Sequence, residues 1–185
     1  MSSFAANYLA RLNAALKSVS AERVDQAVDV LRVARDTGQT IYSCGNGGSA
    51  SIASQMVVDI VKGASYGKSR RVKMMSLCDS VSTITAYSND VDYDCVFEEQ
   101  LKNWLEPNDV VIAISGSGNS ENVIRAVRYA NSKGAVTIGC TTGTGGKLKE
   151  LSAIPLLVDT DHMGHLEDCF FVMTHVMCYA LMGDQ

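Results

Sequence analysis

The chain has 185 residues, 46% of them hydrophobic and 19% charged, with a formal net charge of -4. That size and mixture suit one globular domain, expected over residues 1–185, that buries its own core. The negative balance speaks against nucleic acid as a main partner. No run approaches the ~18 uninterrupted apolar residues of a membrane span. The first ten residues also lack the charged and apolar regions of a secretory signal, so a soluble cytoplasmic protein is expected. Cys44, Cys78, Cys95, Cys140, Cys169 and Cys178 are scattered through apolar stretches without a Cys-x-x-Cys pair. They read as reduced core residues, not as a disulfide framework or a zinc finger.

In chain order, Phe4, Tyr8, Leu9, Leu12 and Leu16 recur at helical spacing. A second helix is expected from Ala21 to Asp36, with Val24, Ala27, Val28, Leu31 and Ala34 on one stripe and Gly38 at its stop. This helical segment, 1–38, reads as a contact between subunits. Thr40–Cys44 is a short strand, and Gly45-Asn-Gly-Gly-Ser49 is a turn into a helix from Ala50 to about Lys62. Val72–Cys78 reads as a strand, Asp79 and Ser80 as caps of a helix over Ser82–Ser88, Asn89-Asp90 as a turn, and Asp94–Leu105 as a helix. Val110–Ile114 is an apolar strand running into Ser115-Gly-Ser-Gly-Asn-Ser120, and a helix follows from Glu121 to near Lys133. Then come a strand at Ala135–Cys140, a short helix at Lys147–Leu151, a strand at Ile154–Val158 whose Pro155 suits a sheet edge, and a helix from Gly164 to Leu181. Strands alternating with helices imply parallel pairing through right-handed crossovers. The fold expected is α/β: a three-layer αβα sandwich around about five parallel strands, flavodoxin-like in type.

Two turns share the pattern Gly-x-Gly-x-Ser, at Gly45–Ser49 and Gly116–Ser120, each after a strand and before a helix. Such loops at the carboxyl ends of parallel strands face one crevice. Backbone N–H groups and the hydroxyls of Ser115, Ser117 and Ser120 would converge before a helix N-terminus, which is a cradle for one small phosphate. No Walker A pattern is present. The plainer reading is a strand-to-helix turn in which Ser120 only N-caps the helix. A dinucleotide reading of Gly45-x-Gly47-x-x-Ala50, with Asp79 as the ribose-binding acid, competes with it. It leaves the second serine turn without a role and places Asp79 further on than the usual ~20 residues.

Candidate acids and bases lie on two helices. Gln55 and Asp59 are four apart and share a face. On the last helix Glu167, Asp168 and His175 interrupt an apolar run; Asp168 falls nearly beneath His175, with Glu167 about a fifth of a turn away. A core histidine and a solvated carboxylate are the structural readings of His175 and Asp59. Beside two anion loops, they supply the acid and base that moving a proton between adjacent carbons requires. Asp159, Asp161, His162 and His165 form a second cluster, readable as a metal site or as a loop and helix cap.

Four ordered motifs, Cys44–Ala50, Ile84–Asp90, Ile114–Ser120 and Gly145–Leu148, resemble those of the sugar isomerase (SIS) domain family. Within it they are similar to the phosphoheptose isomerases, which convert sedoheptulose 7-phosphate to D-glycero-D-manno-heptose 7-phosphate. The resemblance implies an aldose–ketose isomerase acting through an enediol, with no organic cofactor and with N-terminal helices that build a homotetramer whose active sites lie near subunit interfaces. It implies Ser115, Ser117 and Ser120 as phosphate ligands. It places Asn46, Gly47, Ser49, Asp90, Gly116 and Glu167 at the substrate, and Gly116 stands where many members have threonine. The family's catalytic glutamate and histidine fall on Asp59 and His175, so the glutamate is shortened. The family's zinc ligands His, Glu, Gln and His fall on Gln55, Asp59, Glu167 and His175, and three of the four differ. These departures keep open a second expectation, a non-catalytic SIS module that binds a sugar phosphate or a protein, as replication-initiator-binding relatives do.

Overall fold

The computed structural model describes residues 3–183. Five parallel strands, β1 (Thr40–Gly45), β2 (Lys73–Ser76), β3 (Val110–Ile114), β4 (Val136–Thr142) and β5 (Ile154–Val158), form one sheet in the order β2-β1-β3-β4-β5. That order has its switch point between β1 and β3, where connections leave in opposite directions and open a crevice outside the strand ends. Gly45 pairs with Ile114 across that boundary, so both serine turns start side by side. β5 pairs only with β4, which puts Pro155 on an edge where its missing N–H costs no ladder bond.

β3 is buried along its whole length, as a central strand covered on both faces must be. Val110, Ile112 and Ile114 face one apolar layer, and Val111 and Ala113 face the other. The first layer consists of α1 (Phe4–Leu16), α2 (Ala21–Thr37), α3 (Gly48–Val58) and α8 (Met163–Met182). The second holds α5 (Val96–Trp104), α6 (Glu121–Ser132) and α7 (Gly146–Leu151). α2 buries Val24, Ala27, Val28, Leu31 and Ala34, the stripe its periodicity predicts, and Gly38 closes it in the left-handed region at φ 80°. α1 buries only Ala15, while Phe4 and Leu9 are 84% and 61% exposed.

Two elements depart from the sequence expectations. α4 runs over Val81–Asp90, so Asn89-Asp90 is its last turn and not a separate turn; Ser80 caps it by accepting from the Thr83 N–H. α4 only half-buries Ile84 and Tyr87 against the second layer, a stripe that ends before Asn89 and so does not show the helix's length. α3 starts at Gly48 and passes at Asp59 into a wider π-helical segment, Asp59–Ala64, in which Ile60 and Ala64 are buried. Six cysteines are free, five of them buried and Cys78 half-buried.

Candidate active site

At the crevice, Ser115 is the first residue after β3, and its N–H donates to the Cys140 carbonyl at 3.0 Å. The loop then doubles back, with the Gly118 N–H on the Ser115 carbonyl at 3.0 Å. Gly118 has φ 66°, and a Cβ there would lie 2.0 Å from the Gly145 carbonyl oxygen, so only glycine fits where this loop meets the start of α7. Asn119 locks the same junction: its Oδ1 accepts from the Lys147 N–H and its Nδ2 donates to the Ser117 carbonyl.

Ser120 occupies the N-cap position of α6, yet its hydroxyl accepts no backbone hydrogen bond there. It lies instead 3.0 Å from the Ser115 hydroxyl. The plain capping reading therefore fails: Ser120 leaves the helix uncapped, Asn122 Oδ1 takes only the Val123 N–H of the first turn, and the positive end of the dipole faces two converging hydroxyls, with Ser117 exposed beside them. Hydroxyls and first-turn N–H groups at a helix start are the donors from which an anion accepts.

The neighbouring turn is built similarly. Gly47 precedes α3 at φ 54° without a side-chain cap, and Ser49 is buried on the first turn. The Asn46 amide is held by Asn122 of α6 and by Tyr93 of the 3-10 turn Tyr93–Cys95. Neither partner carries a signal in the sequence: Asn122 lies 76 positions from Asn46 and Tyr93 47. Burial holds the Cys44 thiol, next to this turn, well above its ordinary pKa, so it stays protonated and unreactive. The Asp79 carboxylate accepts from the Ser54 hydroxyl at 2.5 Å, which ties it to α3.

Asp59 and His175 do meet: Asp59 Oδ2 lies 3.6 Å from His175 Nε2, with the side chains 24% and 49% exposed. Gln55 Nε2 is 3.2 Å from each Asp59 oxygen and steers the carboxylate. Glu167 is elsewhere. A Cβ on Gly48 would fall 2.1 Å from its Oε1, so the Glu167 carboxylate rests on the start of α3. Because Gly48 faces Glu167 and Asp59 faces His175, α3 and α8 run side by side in one direction. Helical rise then separates Gly48 from Asp59 by roughly 16 Å and Glu167 from His175 by roughly 12 Å. Within one chain, the serine turns and Glu167 occupy one end of this helix pair, and Asp59 and His175 the other.

Among the described residues, no three His, Cys, Asp or Glu side chains converge to hold a metal. Gln55, Asp59, Glu167 and His175 do not converge on one ion within one chain, since Glu167 rests on Gly48 about two turns from His175 and Gln55 offers only an amide oxygen, which suits harder cations. The histidine-rich cluster is a helix start: His162 Nδ1 accepts from the His165 N–H, and Asp161 pairs with Arg11 at 3.5 Å. Asp168 does not serve His175 either, because it accepts from the Tyr8 hydroxyl of α1 at 2.7 Å. Asp90 sits exposed at the end of α4 and accepts from the Asn89 amide. Met163 and Leu166 of α8 close on Gly116.

The flank around the acid–imidazole pair is apolar. Val172, Val176 and Tyr179 stand 42%, 47% and 52% exposed along α8, and Val58 and Val61 stand 51% and 41% exposed beside Asp59.

The model of the SIS domain matches residues 4–142. The chain belongs to the SIS domain family. The matched stretch runs from α1 through β4 and contains both serine turns. This SIS chain is 37% identical to a phosphoheptose isomerase of Solidesulfovibrio magneticus over 158 residues, covering 85% of this chain and 76% of the relative. It is 31% identical to a phosphoheptose isomerase of Aquifex aeolicus, covering 91% and 88%. Its structure superposes on that of a phosphoheptose isomerase from Neisseria gonorrhoeae with a TM-score of 0.87, 27% identity and 97% coverage of both chains. Among the described residues, no helix is long and apolar enough to cross a membrane.

Proposed function

We propose that this SIS protein is a phosphoheptose isomerase, an aldose–ketose isomerase that interconverts sedoheptulose 7-phosphate and D-glycero-D-manno-heptose 7-phosphate. The observation that carries the reading is the Asp59–His175 contact, an accessible acid–base pair in a chain alike over nearly its whole length to phosphoheptose isomerases. A phosphate held by Ser115, Ser117, Ser120 and the start of α6 anchors the distal end of the sugar. Asn46, Ser49 and Glu167 line the way from the anchor, with Gly47 and Gly116 leaving room for the backbone to approach. At the reacting end the Asp59 carboxylate takes the proton from the carbon beside the carbonyl. The imidazolium of His175 protonates the carbonyl oxygen as the enediol forms, and reversal on the neighbouring carbon gives the product. No step in this scheme passes through a metal.

The two halves of this site come from different copies of the chain. Roughly 16 Å of helix lies between Gly48 and Asp59, and the apolar flank around Asp59 and His175 is the surface a second copy would cover. A closed homo-oligomer, most simply a tetramer formed with the help of residues 1–38, then sets the serine loop of one subunit against the Asp59 and His175 of its neighbour.

Incubation with sedoheptulose 7-phosphate in D₂O is the test. Formation of the aldose with deuterium at the exchanged carbon is expected; absence of both sinks the heptose reading. A module that only binds sugar phosphate would keep its function when Asp59 and His175 are replaced.

A further inference from the structure

The turn that carries Asn46 contains three glycines, Gly45, Gly47 and Gly48, and has little conformational preference of its own. Something must decide how the Asn46 amide points. We propose that Asn122 and Tyr93 are positioning residues that fix the polarity of that amide, so that Asn46 offers the sugar phosphate an N–H and never its carbonyl. The inference rests on the isomerase reading for its substrate.

A backbone group sets the direction of the whole arrangement. Asn122 Oδ1 accepts from the Val123 N–H at 2.9 Å, and a peptide N–H can only donate, so the Asn122 amide cannot be turned round. Asn122 is only 2% exposed, which keeps water from offering a substitute partner. Its Nδ2 must then face an acceptor, and it donates to Asn46 Oδ1 at 2.9 Å. Asn46 Nδ2 returns a hydrogen bond to Asn122 Oδ1 at 2.9 Å, which completes a reciprocal pair. The Tyr93 hydroxyl adds a second donor to Asn46 Oδ1 at 2.8 Å.

The carbonyl of Asn46 thus holds two donors and has no lone pair left for a ligand, while one of its two amide protons remains unspent. That proton can bind only an oxygen lone pair. The pair also ties the first turn to α6, the helix whose start binds the phosphate, so the anchor and the sugar contact move as one body. Tyr93, 48% exposed, supplies its hydroxyl from the segment after α4.

Asn122→Asp preserves shape and both incoming donors but sets a second carboxylate oxygen against Asn46 Oδ1. At neutral pH a fall of about 10- to 100-fold in kcat/KM with sedoheptulose 7-phosphate is expected, since a small misplacement of a positioned group costs that much. Competitive inhibition by inorganic phosphate should stay unchanged in a Tyr93→Phe variant, which adds no charge beside the start of α6. As the pH drops through the carboxyl range, a proton on that oxygen restores the donor, and the ratio of variant to wild-type activity should climb. Tyr93→Phe, a substitution at an exposed ring, should lower kcat/KM by about 3- to 10-fold with a ratio that does not vary with pH. Nitrogen-15 spectra should show the Asn46 side-chain amide protected from exchange in the wild type and less so in both variants.

Wild-type turnover in both variants would overturn the inference, and so would loss of phosphate inhibition in Tyr93→Phe in step with activity. If the wild type fails to turn over sedoheptulose 7-phosphate, the isomerase reading falls and the spectra decide alone. A protected Asn46 amide released by the substitutions then supports the positioning role, and an unprotected one in the wild type ends it.

Discussion

Asp59 and His175 face each other at 3.6 Å from parallel helices, with Gln55 reaching the carboxylate from one turn back. Both side chains are accessible within the single chain, so replacing them should alter chemistry and leave the subunit fold nearly untouched. Asp59→Asn and His175→Ala should each lower kcat by about 10²- to 10⁴-fold, the usual worth of a positioned acid or base. Unfolding free energies should stay within about 0.5 kcal/mol of wild type. Steady-state kinetics beside urea titrations read both quantities; full turnover in either variant would remove the pair from the mechanism.

Separation of the serine turns from that pair predicts complementation between subunits. Ser120→Ala combined with Ser115→Ala disables the anchor, and Asp59→Asn disables the chemistry. Refolding the two inactive proteins together should regenerate up to about a quarter of wild-type activity, because sites assembled from two copies combine an intact loop with an intact pair at random. Sites contained within one chain would regenerate none.

The donor set predicts insensitivity to chelation. The Asp59–His175 end carries one imidazole, one carboxylate and, at Gln55, an amide whose carbonyl oxygen suits harder cations than zinc. Exhaustive dialysis against a chelator should leave turnover unchanged, with metal well below one equivalent by elemental analysis. Activity lost on dialysis and restored by zinc alone would contradict this.

His165 predicts a stability change in acid. Its ring is buried between Tyr8 at 4.3 Å and His162 at 4.1 Å, and its Nε2 has no partner. Burial lowers its pKa first, with His162 and Arg11 acting in the same direction and Asp168 and Asp161 opposing. The unfolded chain then binds the proton more readily, so stability is full above about pH 6.5 and declines as the pH falls through the lowered folded value. His165→Phe should flatten that decline in melting curves taken between neutral and mildly acid pH. An unchanged acid slope would show that other groups carry it.

Much of the fold was legible because burial writes itself into period. The α2 stripe from Val24 to Ala34 and the apolar run of β3 identified their elements, and Pro155 marked an edge. The helix at α4 was expected but its last turn was not, because its half-buried Ile84 and Tyr87 stop short of Asn89 and Asp90. At the site, the serine turns were visible as glycine-and-serine punctuation between strand and helix. Spacing also put Asp59 and His175 on suitable helix faces, but a face does not say how far along its axis the partner element sits. Only packing revealed that Glu167 meets Gly48 while His175 meets Asp59 two turns on. The Asn46–Asn122 pair was invisible for a related reason, since amides 76 positions apart share no period.

The wide turn beginning at Asp59 acts as a spacer. An ordinary helix through 59–64 would have to satisfy two demands with one pitch, aiming Asp59 at α8 and seating Ile60 and Ala64 in the core before the chain departs for β2. One extra residue in the loop of hydrogen bonds absorbs the mismatch. Deleting a residue there would tidy the backbone and swing the face before the deletion by about 100° relative to the face after it. An engineer who regularised this helix for stability would thereby aim the carboxylate at empty solvent.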